Sequence, residues 1–140
     1  MMFYNNKTHM PADRETRMAV EAKREKEARE RITEEFAALL KLDPDEGAQW
    51  KGSVADLMEA AHIAYMQGSI CDTEGNVCTF AGMVTEVCHT LHVRKPHNPR
   101  GAAYQAARRK GVRRGALIER YMRMMHEKGE QPLMRNITKQ

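Results

Sequence analysis

The chain has 140 residues, 41% hydrophobic, 30% charged and 6% aromatic, with a formal net charge of +4. That profile fits one globular domain with appendages. No window approaches the roughly 20 apolar residues of a membrane span, and the opening MMFYNNKTHM lacks the apolar run of a signal peptide, so a cytoplasmic protein without a membrane partner is expected.

Residues 1–10 carry no periodic pattern and read as a disordered tail. Pro11 suits the first turn of a helix, where a missing N–H costs nothing. The stretch 11–42 holds no Gly, and Glu21, Glu25 and Arg29 lie at i,i+4 spacing. Up to Glu30 it has few residues to bury, and only Ile32, Phe36, Leu39 and Leu40 form a stripe. Residues 11–47 are therefore expected to form a charged helix, docked at its end and projecting at its start. As an arm it would pair with a second copy or another protein. Asp43, Pro44 and Gly47 close it.

Residues 48–129 read as a small helical domain. Ser53 N-caps a helix to about Gln67, with Asp56 placed to complete a capping box and Val54, Leu57, Met58, Ala61 and Tyr65 as its apolar positions. Gly68 ends it. Ile70-Cys71 and Val77-Cys78 flank Asp72-Thr73-Glu74-Gly75-Asn76, the pattern of a minimal β-hairpin or wing. Thr79 caps a helix with Phe80, Met83, Val84, Val87 and Leu91 on one face. Asn98 and Pro99 form an N-cap and N1 pair for a helix reaching Lys110, which Gly111 breaks. A last helix is expected over about 112–128, with Leu117, Ile118, Tyr121, Met124 and Met125 inward. Gly129 and Pro132 close it, and 130–140 read as an irregular tail.

Charge divides the chain. Residues 1–92 carry 10 Lys/Arg and 16 Asp/Glu, whereas residues 93–128 carry 11 Lys/Arg and two acids, Glu119 and Glu127. A polyanion is the first partner such a field implies. The densest stretch is RRKGVRRG, residues 108–115. Arg108, Arg109 and Lys110 in a last helical turn would complement the carbonyl end of the dipole. Arg113 and Arg114 at the start of the next helix would oppose it, unless a phosphate visits the backbone N–H groups there. Arg120 and Arg123 lie off the apolar side of that helix and extend the basic stripe. Together with Arg100, these eight residues, Arg100, Arg108, Arg109, Lys110, Arg113, Arg114, Arg120 and Arg123, are the candidate nucleic-acid contacts. A solvated basic face or an acidic protein partner explains the same pattern.

The order Trp50-Lys51-Gly52-Ser53, Leu57, Gly68-Ser69-Ile70, a Gly/Asn turn, Tyr104, Arg109-Lys110 and Leu117 resembles the C-terminal domain of RteC-type transcriptional regulators of conjugative transposons. The similarity spans Trp50 to about Met125. It implies an all-α, winged-helix-like architecture and a bacterial regulator of mobile-element genes that binds double-stranded DNA. Members of that family are longer, and the charged helix of 11–42 stands here in place of their N-terminal helical domain. The Pro96-His97-Asn98-Pro99 loop departs from the pattern.

Other chemistry is poorly signalled. Cys71, Cys78, Cys88, His89 and His92 lack the close pairs of a zinc site, so no metal or cofactor is expected, and the three cysteines read as free thiols. Cys88 and His89 read as helix-surface residues, and His62 as a border residue. With no phosphate loop and no paired carboxylates in an apolar stretch, neither an enzyme nor a small-molecule substrate is expected. The alternative to DNA binding is a non-catalytic protein–protein interaction module.

Overall fold

A computed structural model describes residues 2–111, 115–124, 131 and 133–138, with side chains from Asp13 onward. Among them are five α-helices: α1 (Met2–Leu40), α2 (Val54–Gln67), α3 (Phe80–Thr90), α4 (Pro99–Ala107) and α5 (Leu117–Met124). Two short strands, β1 (Gln49–Trp50) and β2 (Ile137–Thr138), pair antiparallel, with Trp50 opposite Ile137. The architecture is a small all-α domain with a minimal sheet.

Helix α2 is the hub. Every residue from Asp56 to Ala61 is buried, the signature of a helix enclosed on all sides, and α1, α3, α4 and α5 all pack against it. Its ends follow from local chemistry. Ser53 Oγ accepts from the Asp56 amide at 3.1 Å, and Gly68 takes the left-handed conformation at φ 68° that ends the helix cheaply. The Trp50 indole lies against Gly52, where a Cβ would meet the ring at 2.9 Å. Its N–H donates to the Ser53 carbonyl at 2.8 Å. The W-x-G-S sequence is thus a corner in which a ring, a missing side chain and a cap fit together. The caps expected for α3 and α4 also form: Thr79 Oγ1 accepts from the Gly82 amide and Asn98 Oδ1 from the Gly101 amide, both at 3.0 Å.

Among its described side chains, helix α1 docks through its second half. Ala28, Ile32, Phe36 and Leu39 are all fully buried, at the i,i+4 and i,i+3 steps of one face. Residues 13–23 are exposed along their whole length. The helix begins at Met2 rather than Pro11 and runs through that proline.

At the periphery the 70–78 segment forms a minimal hairpin on the expected arms: Cys71 and Val77 make an antiparallel bridge, flanked by bonds from the Cys78 amide to the Ile70 carbonyl at 2.9 Å and from the Asp72 amide to the Asn76 carbonyl at 2.8 Å. Its turn is held by Asp72 Oδ1, which accepts from the Glu74 and Asn76 amides. The two-stranded sheet, which was not expected, forms between the segment before α2 and residues 137–138. The stretch 130–140, expected to be irregular, contributes a 3₁₀ turn at Met134–Asn136, strand β2 and the fully buried Leu133. No helix among the described residues is long and apolar enough to cross a membrane.

Candidate nucleic-acid interface

The basic third of the chain is fastened to the core by three buried acids. Helix α2 contains no Lys or Arg, yet it carries Asp56 and Glu59, 8% and 2% exposed. Asp56 Oδ1 accepts from Arg109 Nη2 at 2.7 Å and from Arg120 Nη2 at 2.5 Å. It therefore ties the segment after α4 to α5. The Glu59 carboxylate accepts from the amides of Leu117 at 2.9 Å and Ile118 at 3.1 Å. These are first-turn N–H groups of α5, which have no partner within their own helix. From α1, Glu35 accepts from the Tyr121 hydroxyl and from the amides of Leu133 and Met134 at 3.0 and 3.1 Å. Arg24 of α1 adds a bond to the Met122 carbonyl at 3.0 Å.

Burial pushes the Glu59 carboxyl above its ordinary value, although the bonds from Leu117 and Ile118 pull it back. Burial raises Glu35 in the same way, against the bonds from Tyr121, Met134 and Leu133. The Tyr121 phenol is pushed up by burial and by the carboxylate it faces.

Four expectations are corrected by these contacts. Asp56 does not return a capping-box bond to Ser53, because its carboxylate is taken by two guanidinium groups that neutralise it more strongly than an amide does. Asp56 and Glu59 are paired carboxylates in an apolar helix, contrary to the sequence reading. Asp56 Oδ1 holds two guanidinium donors and each Glu59 oxygen holds one amide, so both carboxylates fasten α5 to α2. The N-terminus of α5 lies at Leu117 and Ile118, whose amides are occupied by Glu59, an internal anion at the positive end of the dipole, while the amides beside Arg113 and Arg114 lie outside the described residues. Cys88 lies in the core at 4% exposure rather than on a helix surface, and burial raises its thiol.

The connection from α4 to α5 is tight. Helix α4 ends at Ala107, so Arg108, Arg109 and Lys110 follow the helix instead of forming its last turn. The amides of Arg108 and Arg109 close onto the Gln105 and Ala106 carbonyls, both at 3.2 Å, a shortened i→i−3 pattern. The Ala116 amide then donates to the Arg109 carbonyl at 3.2 Å. Gly111 adopts φ 113°, and a Cβ on Gly115 would come within 2.3 Å of the Gly111 carbonyl oxygen. Both glycines of the RRKGVRRG stretch are therefore steric requirements. Helix α5 starts at Leu117, later than the Val112 expected.

Here lies a cleft of about 600 Å³ lined by Arg108, Arg109, Lys110 and Arg123, with Glu119 as the one carboxylate among the described residues that line it. A smaller cleft of about 300 Å³ adjoins it, lined by Arg120, Tyr121, Arg123 and Arg135. Arg123 borders both. Five of the eight candidate contacts thus gather around α5. Arg109 and Arg120 are the two whose charge is shared with Asp56. Arg100 stands apart at the start of α4, with its guanidinium 5.4 Å from the Phe80 ring centre and 5.9 Å from that of Tyr65. Arg113 and Arg114 lie outside the described residues.

Sequence reasoning missed two members of the site. Arg135 falls in a segment taken as irregular, and β2 is what brings it beside α5. Tyr104 is 59% exposed. Its hydroxyl accepts from Arg108 Nη1 at 2.6 Å, and the Arg108 guanidinium lies 5.1 Å from the ring centre. The i,i+4 spacing of Tyr104 and Arg108 on α4 was the available signal.

His62 borders the core beside Phe80 and Tyr65, and burial, then Arg100 and Arg29, hold its pKa down. No group of three or more His, Cys, Asp or Glu side chains suited to a metal occurs among the described residues. Compared with known proteins, the chain matches no family model, no curated protein and no solved structure at a significant level.

Proposed function

We propose that this protein is a non-catalytic nucleic-acid-binding regulator that holds the sugar-phosphate backbone of double-stranded DNA in the basic clefts beside α5. The observation that carries the reading is the convergence of Arg108, Lys110 and Arg123 on one cleft, continued by Arg135 in the next. Guanidinium groups on a rigid support suit phosphate, because their donors meet its oxygens in pairs. The support is rigid because Glu59, Asp56 and Glu35 pin the basic segment to α2 and α1. The resemblance of Trp50 to Met125 to RteC-type regulators favours the same reading, and with it a winged-helix-like, cytoplasmic, mobile-element-associated role in bacteria. Fluorescence anisotropy on a short random duplex tests it. Binding at micromolar protein is expected at about 50 mM salt, where phosphate contacts are strong. No binding under that condition rejects the proposal.

A second reading has its own observation. Residues 13–23 of α1 are exposed, including Met18 at 65% and Val20 at 50%. An unpartnered helical arm of this kind favours docking to a second copy or to another protein. Sedimentation of the full chain and of a version lacking residues 1–23 separates the cases: the arm reading requires assembly that the shortened chain loses.

A further inference from the structure

We infer that Tyr104, oriented by Arg108, is a stacking platform for an unpaired base at the rim of the basic cleft, so that the preferred ligand is DNA carrying an unpaired nucleotide beside the bound backbone. The inference rests on the nucleic-acid reading above and specifies its ligand. Among the described Phe, Trp and Tyr side chains, Tyr104 is the only exposed one. It is also the one joined to the cleft. Arg108 lines the cleft, donates to the Tyr104 hydroxyl at 2.6 Å and lies over the ring.

One arginine therefore links a basic hollow with ample room for a phosphate to an aromatic surface left mostly open to solvent. A phosphate held by Arg108, Lys110 and Arg123 would bring its own nucleoside next to that ring. A paired, stacked base presents only its edge and cannot use the platform. An unpaired one can lay its face on it, and such stacking tolerates any base because every base has a π-face. The hydroxyl bond fixes the ring before the ligand arrives, so little rotamer freedom is left to lose on binding. Helix α4 holds the platform firmly: it packs closely on α2, with Ala103 and Ala106 buried on the inner face while Tyr104 points outward.

The test compares an intact duplex, the same duplex with a one-nucleotide thymine bulge, and an oligothymidine strand, each labelled and titrated by anisotropy with the full chain. The bulged duplex is expected to bind about tenfold more tightly than the intact one, in line with the stacking contribution of a single base. Tyr104→Ala should bring the ratio of bulged to intact affinity to about one, the ratio being the readout because Arg108 loses its hydroxyl partner in this variant. Tyr104→Phe, which keeps the ring, should retain most of it. Circular dichroism establishes that the variants keep their helix content. Equal affinity for bulged and intact duplex overturns the inference and leaves the nucleic-acid reading standing. So does a Tyr104→Ala variant that weakens all three ligands alike. Failure of all three to bind removes the nucleic-acid reading itself.

Discussion

Asp56 and Arg109 lie in different halves of the chain, yet Arg109 Nη2 donates to Asp56 Oδ1 at 2.7 Å, and the same oxygen serves Arg120. The charge asymmetry of the sequence is thus partly an internal matter. Acids of the first half are buried so that basic residues of the second half can be anchored. Around these anchors Arg108, Lys110, Arg123 and Arg135 line the clefts beside α5.

Asp56→Asn should destabilise the fold without weakening nucleic-acid binding. The side chains of Arg109 and Arg120 are 33% and 26% exposed, so solvent screens part of the interaction. A loss of about 1–3 kcal/mol is expected in urea denaturation, between the values for surface and fully buried pairs. Duplex affinity should hold or rise, because two guanidinium groups are released. A variant of unchanged stability with lost affinity would contradict the division of labour.

Glu59→Ala should cost about 2–4 kcal/mol, because it leaves the Leu117 and Ile118 amides buried without acceptors. The loss belongs to α5. Amide hydrogen exchange should therefore quicken at Leu117 and Ile118 before the helices of the first half are affected.

Glu59 also fixes a pH dependence. Its folded pKa is raised above the ordinary 4.5, so the folded state holds its proton more tightly than the unfolded chain does. That contribution is fully present below about 4.5 and is lost as pH rises through the higher folded value. His62, whose folded pKa is lowered from 6.5, acts in the opposite sense: its contribution is present above 6.5 and is lost as pH falls through the folded value. Comparing wild type with Glu59→Gln across pH 4.5 to 7 isolates Glu59, since His62 is common to both. The stability of wild type relative to the variant should decline as pH rises through that window. A flat difference would contradict the burial assigned to Glu59.

Gly115→Ala should lower the melting temperature, because the added carbon meets the Gly111 carbonyl oxygen at 2.3 Å and the neighbour is backbone. About 1–3 kcal/mol is expected for forcing the turn apart. Differential scanning calorimetry against Gly101→Ala gives the contrast, since the carbon there meets the movable Asn98 side chain.

The helices, and those of their ends that a cap or a left-handed glycine marks, were legible because their signals are local; the start of α1, the end of α4 and the start of α5 were not. Ser53, Thr79 and Asn98 cap the helices that follow them, and Gly47 and Gly68 take the left-handed turns their positions called for. The apolar stripe of α1 from Ile32 onward was equally plain. The β1–β2 pairing was not, since two residues on each side carry no periodicity and most of the chain separates them. Nor were the buried acids, because an Asp or Glu on a helix ordinarily reads as solvated. One clue was present: α2 holds two acids among apolar residues and no Lys or Arg to pair with them, which pointed to partners from elsewhere. For the site, the basic composition was visible. Which arginines serve the fold and which face the cleft depends on where Asp56 lies in space.

The most direct measurement is the salt dependence of duplex binding for wild type and two sets of variants. Each phosphate neutralised contributes about −0.9 to the slope of log K against log salt. Replacing Arg108, Lys110 and Arg123 together with Ala should make the slope shallower by about 2 to 3. Replacing Arg109 and Arg120 should reduce stability and leave the slope unchanged. A slope insensitive to the first set, or sensitive mainly to the second, would contradict the assignment of the α5 clefts as the surface that holds the backbone.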